Sequence, residues 1–163
     1  MTKTAFIAIV GRPNVGKSTL LNSILGEKVA IVSKKPQTTR NRITGIHTVG
    51  ESQYVFLDTP GLHKARTRLG DYMVKTTNET LGGVDGAILV VEAREAVGDI
   101  EAGLISRFKA DGMKVILAIN KVDSVTPANI AKTIQAYADA FDFDAVVDYL
   151  RGNFLFNSDG FFK

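Results

Sequence analysis

The sequence predicts an α/β fold, a largely parallel sheet with one antiparallel strand and helices on both faces, from three observations. Short apolar runs alternate along the chain with segments of helical spacing. One further run is joined to its neighbour by a tight polar turn, as in a hairpin. Each chemically suggestive motif starts where an apolar run stops, and that is where ligands sit in open parallel sheets.

The first run, Ala5 to Val10, is ended by Gly11 and followed by helical spacing over Lys17 to Leu25. Ile43 to Val49 alternates less cleanly and reaches Tyr54 through Gly50, Glu51 and Ser52, so the hairpin and the antiparallel strand fall here. Tyr54 to Leu57 is the second buried run, and helical spacing over roughly Leu69 to Leu81 follows it. Ala87 to Val91 and Val115 to Ile119 are the third and fourth, separated by a helix over roughly Asp99 to Ala110. These four runs are short and rich in strand-favouring residues, as expected of strands covered on both faces. Pro127 to Ala140 reads as a last helix, with Thr126 as cap and Pro127 in the first turn.

Composition sets the bounds. With 163 residues, 45% hydrophobic and 23% charged, the chain fits one compact domain with a proper core. The formal charge of +3 is scattered, so charge alone gives no polybasic footprint for nucleic acid or anionic lipid. The absence of cysteine excludes a disulfide framework and a thiolate metal site, and suits a reducing cytosol. Ala5 to Val10 is too short for a secretory core or a membrane span, so a cytoplasmic protein is expected. There is no internal repeat or linker-like stretch before residue 147.

Gly11-Arg12-Pro13-Asn14-Val15-Gly16-Lys17-Ser18 satisfies G-x-x-x-x-G-K-[ST] between an apolar run and a helical one, the setting of a P-loop nucleoside triphosphatase. Glycines let backbone wrap a phosphate, and the N–H groups of Val15 and its neighbours at the helix start point at the anion. Lys17 is expected to reach the β- and γ-phosphates, Ser18 to place its hydroxyl on Mg²⁺, and Thr19 to contact the α-phosphate. Asp58-Thr59-Pro60-Gly61 puts an acid at the end of a strand, where it can hold Mg²⁺, and a Gly61 N–H where it can sense a γ-phosphate. Taken alone, those four residues are equally a turn with a capping aspartate. Between the two motifs, Gln37-Thr38-Thr39-Arg40 lies in a polar stretch of a length suited to a first switch, and Thr39 is favoured over Thr38 for completing the magnesium shell.

Asn120-Lys121-Val122-Asp123 follows a strand and selects the base. The Asp123 carboxylate can accept from N1–H and the 2-amino group of guanine. Adenine offers neither donor, and sites of that kind reject the deficient analogue by about 10⁴ or more. Asn120 is expected to brace the phosphate loop and the base, with the Lys121 stem across the base plane. GTP and GDP are therefore the expected ligands, and ATP-using enzymes the displaced alternative.

Beyond these motifs, Pro36 to Ile46, Leu62-His63-Lys64 and Leu69-Gly70-Asp71-Tyr72-Met73 closely resemble the Era family of bacterial GTPases, within the group that includes MnmE, over about Lys3 to Val147. The resemblance implies a Ras-like G domain over residues 1–147, with a sixth strand at Asp144 to Val147. It also implies a slow GTPase switch that assists 16S rRNA processing and small-subunit assembly, and leaves a peripheral membrane contact open. Family members bind 16S rRNA on the 30S subunit through a C-terminal KH domain, for which residues 148–163 are too short and lack the GXXG clamp. Those residues depart from the family: Asp148-Tyr149-Leu150 stands where a Ser-Ala-Lys loop would contact the guanine O6, a loss of about 1 kcal/mol.

Leu62 occupies the place of the water-orienting glutamine of many small GTPases, so positioning must come from elsewhere. Related enzymes use K⁺ held partly by an asparagine at the position of Asn14, and the same is expected here, with loop bracing as the alternative role. Lys17, Asn14, Thr39 and Gly61 are thus the catalytic candidates. His63 reads as a solvent-facing histidine before a general base. Arg40 and Arg42 read as surface residues, His47 as a strand-surface one, and Phe154, Phe156, Phe161 and Phe162 as helix packing or tail. A nucleotide-holding module with negligible turnover, and an RNA-binding protein in its own right, are the rival readings.

Overall fold

The computed structural model describes residues 3–12, 15–17, 20–21, 43–58, 81–94, 96–120 and 126–148. Six strands appear in the order β1 (Lys3–Gly11), β2 (Ile43–Val49), β3 (Ser52–Asp58), β4 (Gly86–Glu92), β5 (Lys114–Asn120) and β6 (Ala145–Asp148). Helix α1 (Asp99–Asp111) lies between β4 and β5, and α2 (Pro127–Ala140) between β5 and β6. Across the sheet the order is β2-β3-β1-β4-β5-β6, and every neighbouring pair is parallel except β2 with β3. The predicted fold class is the observed one.

Strands run beyond their apolar cores because ladder pairing is a backbone property that continues through polar ends. Lys3 stands in register with Ser52, and Glu92 with Asn120. That extension places Asn120 on the last rung of β5, at the edge where the motifs gather. At the opposite edge two aspartates start strands: Asp85 Oδ2 accepts from Phe6 N and Asp144 Oδ2 from Val115 N, at 2.8 and 2.9 Å.

Alternation along the central strands builds two cores. Ala8, Val10, Leu89, Val91, Leu117 and Ile119 pack with Leu104, Ile105 and Phe108 of α1 and Tyr137 of α2. Ile7, Ile9, Ile88, Val90 and Ala118 face the other way and pack with Val15, Leu20 and Leu21, the leucines being helical. A sheet covered on both faces leaves its carboxyl edge as the open place for a ligand.

The helix ends follow their local chemistry. α1 carries Asp99 and Glu101 in its first turn and Lys109 in its last, each matching the sign of the helix dipole. It closes with Gly112 N donating to Lys109 O and Met113 N to Phe108 O. α2 begins as the sequence predicts, with the Thr126 side chain accepting from Asn129 N at 3.3 Å and Pro127 in the first turn. Of the two other segments of predicted helical spacing, residues 22–25 and 69–80 lie outside the described residues.

Candidate nucleotide-binding site

β1 ends at Gly11, and the chain passes through Arg12 to Val15, Gly16 and a helical turn beginning at Lys17. The first helical hydrogen bond runs from Leu20 N to Gly16 O at 2.9 Å. Gly16 has φ +101°, and a Cβ there would run into the side-chain amide of Asn120. Only glycine fits this point of the loop.

Asn120 explains the crowding. From the last rung of β5 its Nδ2 donates to Val15 O at 2.7 Å, across 105 residues of sequence. Val15 is itself buried in the second core, so the loop is held from below by apolar contact and from the side by this bond.

Lys17 is only 7% exposed. Its Nζ donates to Arg12 O at 2.7 Å and to Gly11 O at 3.2 Å. A buried ammonium is costly unless its donors are satisfied, and the loop carbonyls satisfy two of them while holding the charge over the loop. A positive charge, a helix start and a glycine at φ +101° at one strand end are the parts from which an oxyanion cradle is built.

The Arg12 side chain points elsewhere. Its Nε lies 2.6 Å from Glu101 Oε1 and its Nη2 3.1 Å from Oε2, a two-pronged pair with α1. The hydrogen bond to Glu101 raises the Arg12 guanidinium above its ordinary pKa, with burial opposing. Glu101 is the buried partner, 6% exposed at the side chain against 31% for Arg12. Beside them, burial pushes the Tyr137 phenol well above its usual range, the Glu101 carboxylate adding to the rise and Arg12 and Arg94 opposing it. Tyr137 therefore stays neutral at physiological pH.

Of the residues singled out in the sequence, Gly11, Val15, Gly16, Lys17 and Asn120 come together here. Asp58 ends β3 in register with Ile9, so its backbone stands at the same sheet edge. Its side chain, and all of Asn14, Ser18, Thr19, Thr39, Gly61, Lys121 and Asp123, lie outside the described residues, as do Arg40, Arg42, His63 and the tail phenylalanines. His47 sits on β2 opposite Tyr54, half-buried. The Arg12–Glu101 pair is the part that sequence reasoning passes over. Arg12 occupies a variable place in the loop pattern, and the only trace of its partner is an acid in the first turn of a helix 89 residues away.

A family model described as the 50S ribosome-binding GTPase matches residues 6–121. Among solved structures the chain is similar to Era in complex with MgGDPNP and nucleotides 1506–1542 of 16S ribosomal RNA, with 36% identity and a TM-score of 0.77 over 91% of this chain and 51% of that one. It is also similar to a variant of Aquifex aeolicus Era bound to GDP·AlF4⁻, at 35% identity and a TM-score of 0.76 over 90% and 51%. The chain thus spans about half the length of these two Era chains. A probable GTP-binding protein engB, at 22% identity and a TM-score of 0.60 over 88% of each chain, shares the fold.

Proposed function

We infer what the chain does from one premise: it belongs to the 50S ribosome-binding GTPase family, whose model spans residues 6–121. It binds GTP and GDP with Mg²⁺ and hydrolyses GTP to GDP and phosphate. The observation that carries this is the loop itself, with the buried Lys17 ammonium held over it and Asn120 fastening it from the strand that leads into Lys121 and Asp123.

What supports a polyphosphate at the loop is the Lys17 charge held at it and the glycine turn that leads into the helix. Lys17 neutralises the β- and γ-phosphates, and the N–H groups of Val15, Gly16 and the helix start hold them. Thr19 contacts the α-phosphate. Ser18, Asp58 and Thr39 are the residues that would hold Mg²⁺, which when bound offsets the charge shared by the β- and γ-phosphate oxygens. Gly61 senses the γ-phosphate through its N–H. Asn120, Lys121 and Asp123 read guanine, Asp123 by accepting from N1–H and the 2-amino group. The Leu62 side chain has no donor or acceptor, so turnover is slow and draws on positioning by the backbone and by a K⁺ that Asn14 helps to hold.

Likeness to Era, solved in complex with nucleotides of 16S ribosomal RNA, supports a place in small-subunit assembly with 16S rRNA as partner for the longer kind of protein. The second reading, a module that holds nucleotide without turning it over, draws on the same Leu62. Single-turnover hydrolysis with Mg²⁺ in KCl and in NaCl decides: phosphate release faster in KCl supports the first reading and the role of Asn14, equal rates remove the K⁺ role, and no release over hours supports the second.

A further inference from the structure

We propose that Glu101 is a positioning residue for the nucleotide: through its two hydrogen bonds to Arg12 it sets the phosphate loop, and with it the Lys17 ammonium, in place for the bound phosphates. This rests on the nucleotide-binding reading above and assigns a role to a helix which that reading does not use.

Four observations converge. The pair is two-pronged, at 2.6 and 3.1 Å, a geometry that a guanidinium makes with a carboxylate and an ammonium does not. The carboxylate is almost wholly withdrawn from water, so its position is fixed by its partner and not by solvent. Arg12 is also the residue whose carbonyl takes the shorter of the two Lys17 hydrogen bonds, so one residue is held by its side chain to α1 and holds the loop lysine by its backbone. Finally, the corner over the helix start is kept clear: a Cβ on Gly98 would meet both Glu101 Oε2 and Arg12 Nη2.

The anchor is rigid because α1 is rigid. Leu104, Ile105 and Phe108, one turn and two turns beyond Glu101, are buried in the first core. Among the described residues the loop is therefore fixed at two points by separate elements, Val15 to Asn120 of β5 and Arg12 to Glu101 of α1. Oxyanion cradles lose function when their donors are displaced by about 1 Å, which is the margin such anchors control.

The test uses the full chain carrying Glu101→Gln, Arg12→Gln and both together. The readouts are the Kd of a fluorescent GDP analogue, the ³¹P resonance of the bound GDP β-phosphate, and the melting temperature at saturating GDP. Each single change is expected to raise Kd about tenfold and displace the β-phosphate resonance, and the double to do little more than either single because the residues act as a unit. Where a glutamine variant does not fold, Arg12→Lys decides; it keeps a charge opposite Glu101 but loses the fork, and is expected to raise Kd about threefold with the resonance still displaced. Unchanged Kd and unchanged resonance overturn the proposal whatever happens to the melting temperature, since that pattern is an ion pair serving stability alone. A wild-type chain that binds no GDP removes the functional reading and this proposal with it; a wild type that binds GDP alongside silent variants removes this proposal alone.

Discussion

At the scale of single residues the site is a set of close fits whose removal costs are of predictable size. Asn120→Ala deprives the buried Val15 carbonyl of its partner and is expected to destabilise the fold by about 1–3 kcal/mol, measured by urea unfolding. Gly16→Ala is expected to be worse, because the new Cβ both meets the Asn120 amide and sits on a backbone with φ +101°. It displaces the same bond and adds about 1–3 kcal/mol of strain, so nucleotide binding in a fluorescence titration is lost before folding is. Asp123→Asn tests base reading: the amide donates to the 2-carbonyl of xanthine and no longer accepts from the 2-amino group of guanine. Competition assays should then show preference moving from GTP to XTP by on the order of 10⁴-fold, against no change if Asp123 lies away from the base. Much of this scale was legible in the sequence. Gly16, Lys17 and Asn120 sit in dense patterns, and the expected bracing of the loop by Asn120 is the bond to Val15 O. The Arg12–Glu101 pair was not legible, because a contact across 89 residues leaves no local pattern and acids in first helical turns are common for dipole reasons alone.

At the scale of elements, the alternation of apolar runs with helical spacing was enough to place four buried strands, the hairpin that joins Ile43–Val49 to the strand at Tyr54, and both described helices. What it missed were the ends. Asn120 lies one residue past its apolar run, and its inclusion in β5 follows from pairing with Glu92, a backbone event that hydrophobic patterning cannot report. The cap of α2 was readable because Thr126 and Pro127 signal through chemistry confined to one turn. That chemistry is exposed, so Thr126→Ala is expected to cost only about 0.5–1 kcal/mol. Thr133, further along the same helix, makes the contrast. Fully buried, its hydroxyl donates to Arg94 O at 2.7 Å or to Asn129 O at 2.8 Å, joining α2 to the chain beyond β4. Thr133→Val keeps the shape and loses the donor, and is expected to cost about 1–3 kcal/mol in thermal or urea unfolding. A Thr133→Val cost no greater than that of Thr126→Ala would show that the link carries little.

At the scale of the whole molecule, the sheet brings the ends of β1, β3 and β5 to one edge and fills both faces with core, so a ligand bound at that edge would be thermodynamically linked to the fold. A ligand at one hundred times its Kd adds about 2.7 kcal/mol to a two-state unfolding free energy. For a chain of this size that is expected to raise the melting temperature by roughly 5–10 °C with GDP and Mg²⁺, and not with ADP. Chelating Mg²⁺ should remove part of the gain, since Ser18, Asp58 and Thr39 would hold the cation and it would offset phosphate charge. The proposed function requires the strand ends of β1, β3 and β5, which share one sheet edge, to bring a phosphate loop, a metal carboxylate and a base reader to one nucleotide. The most direct measurement is a calorimetric titration of the chain with GDP in Mg²⁺, repeated in the presence of excess ATP. The account predicts one site whose GDP affinity is unmoved by ATP at about a thousandfold excess. ATP that displaces GDP on equal terms, or no heat of binding with either, would contradict it.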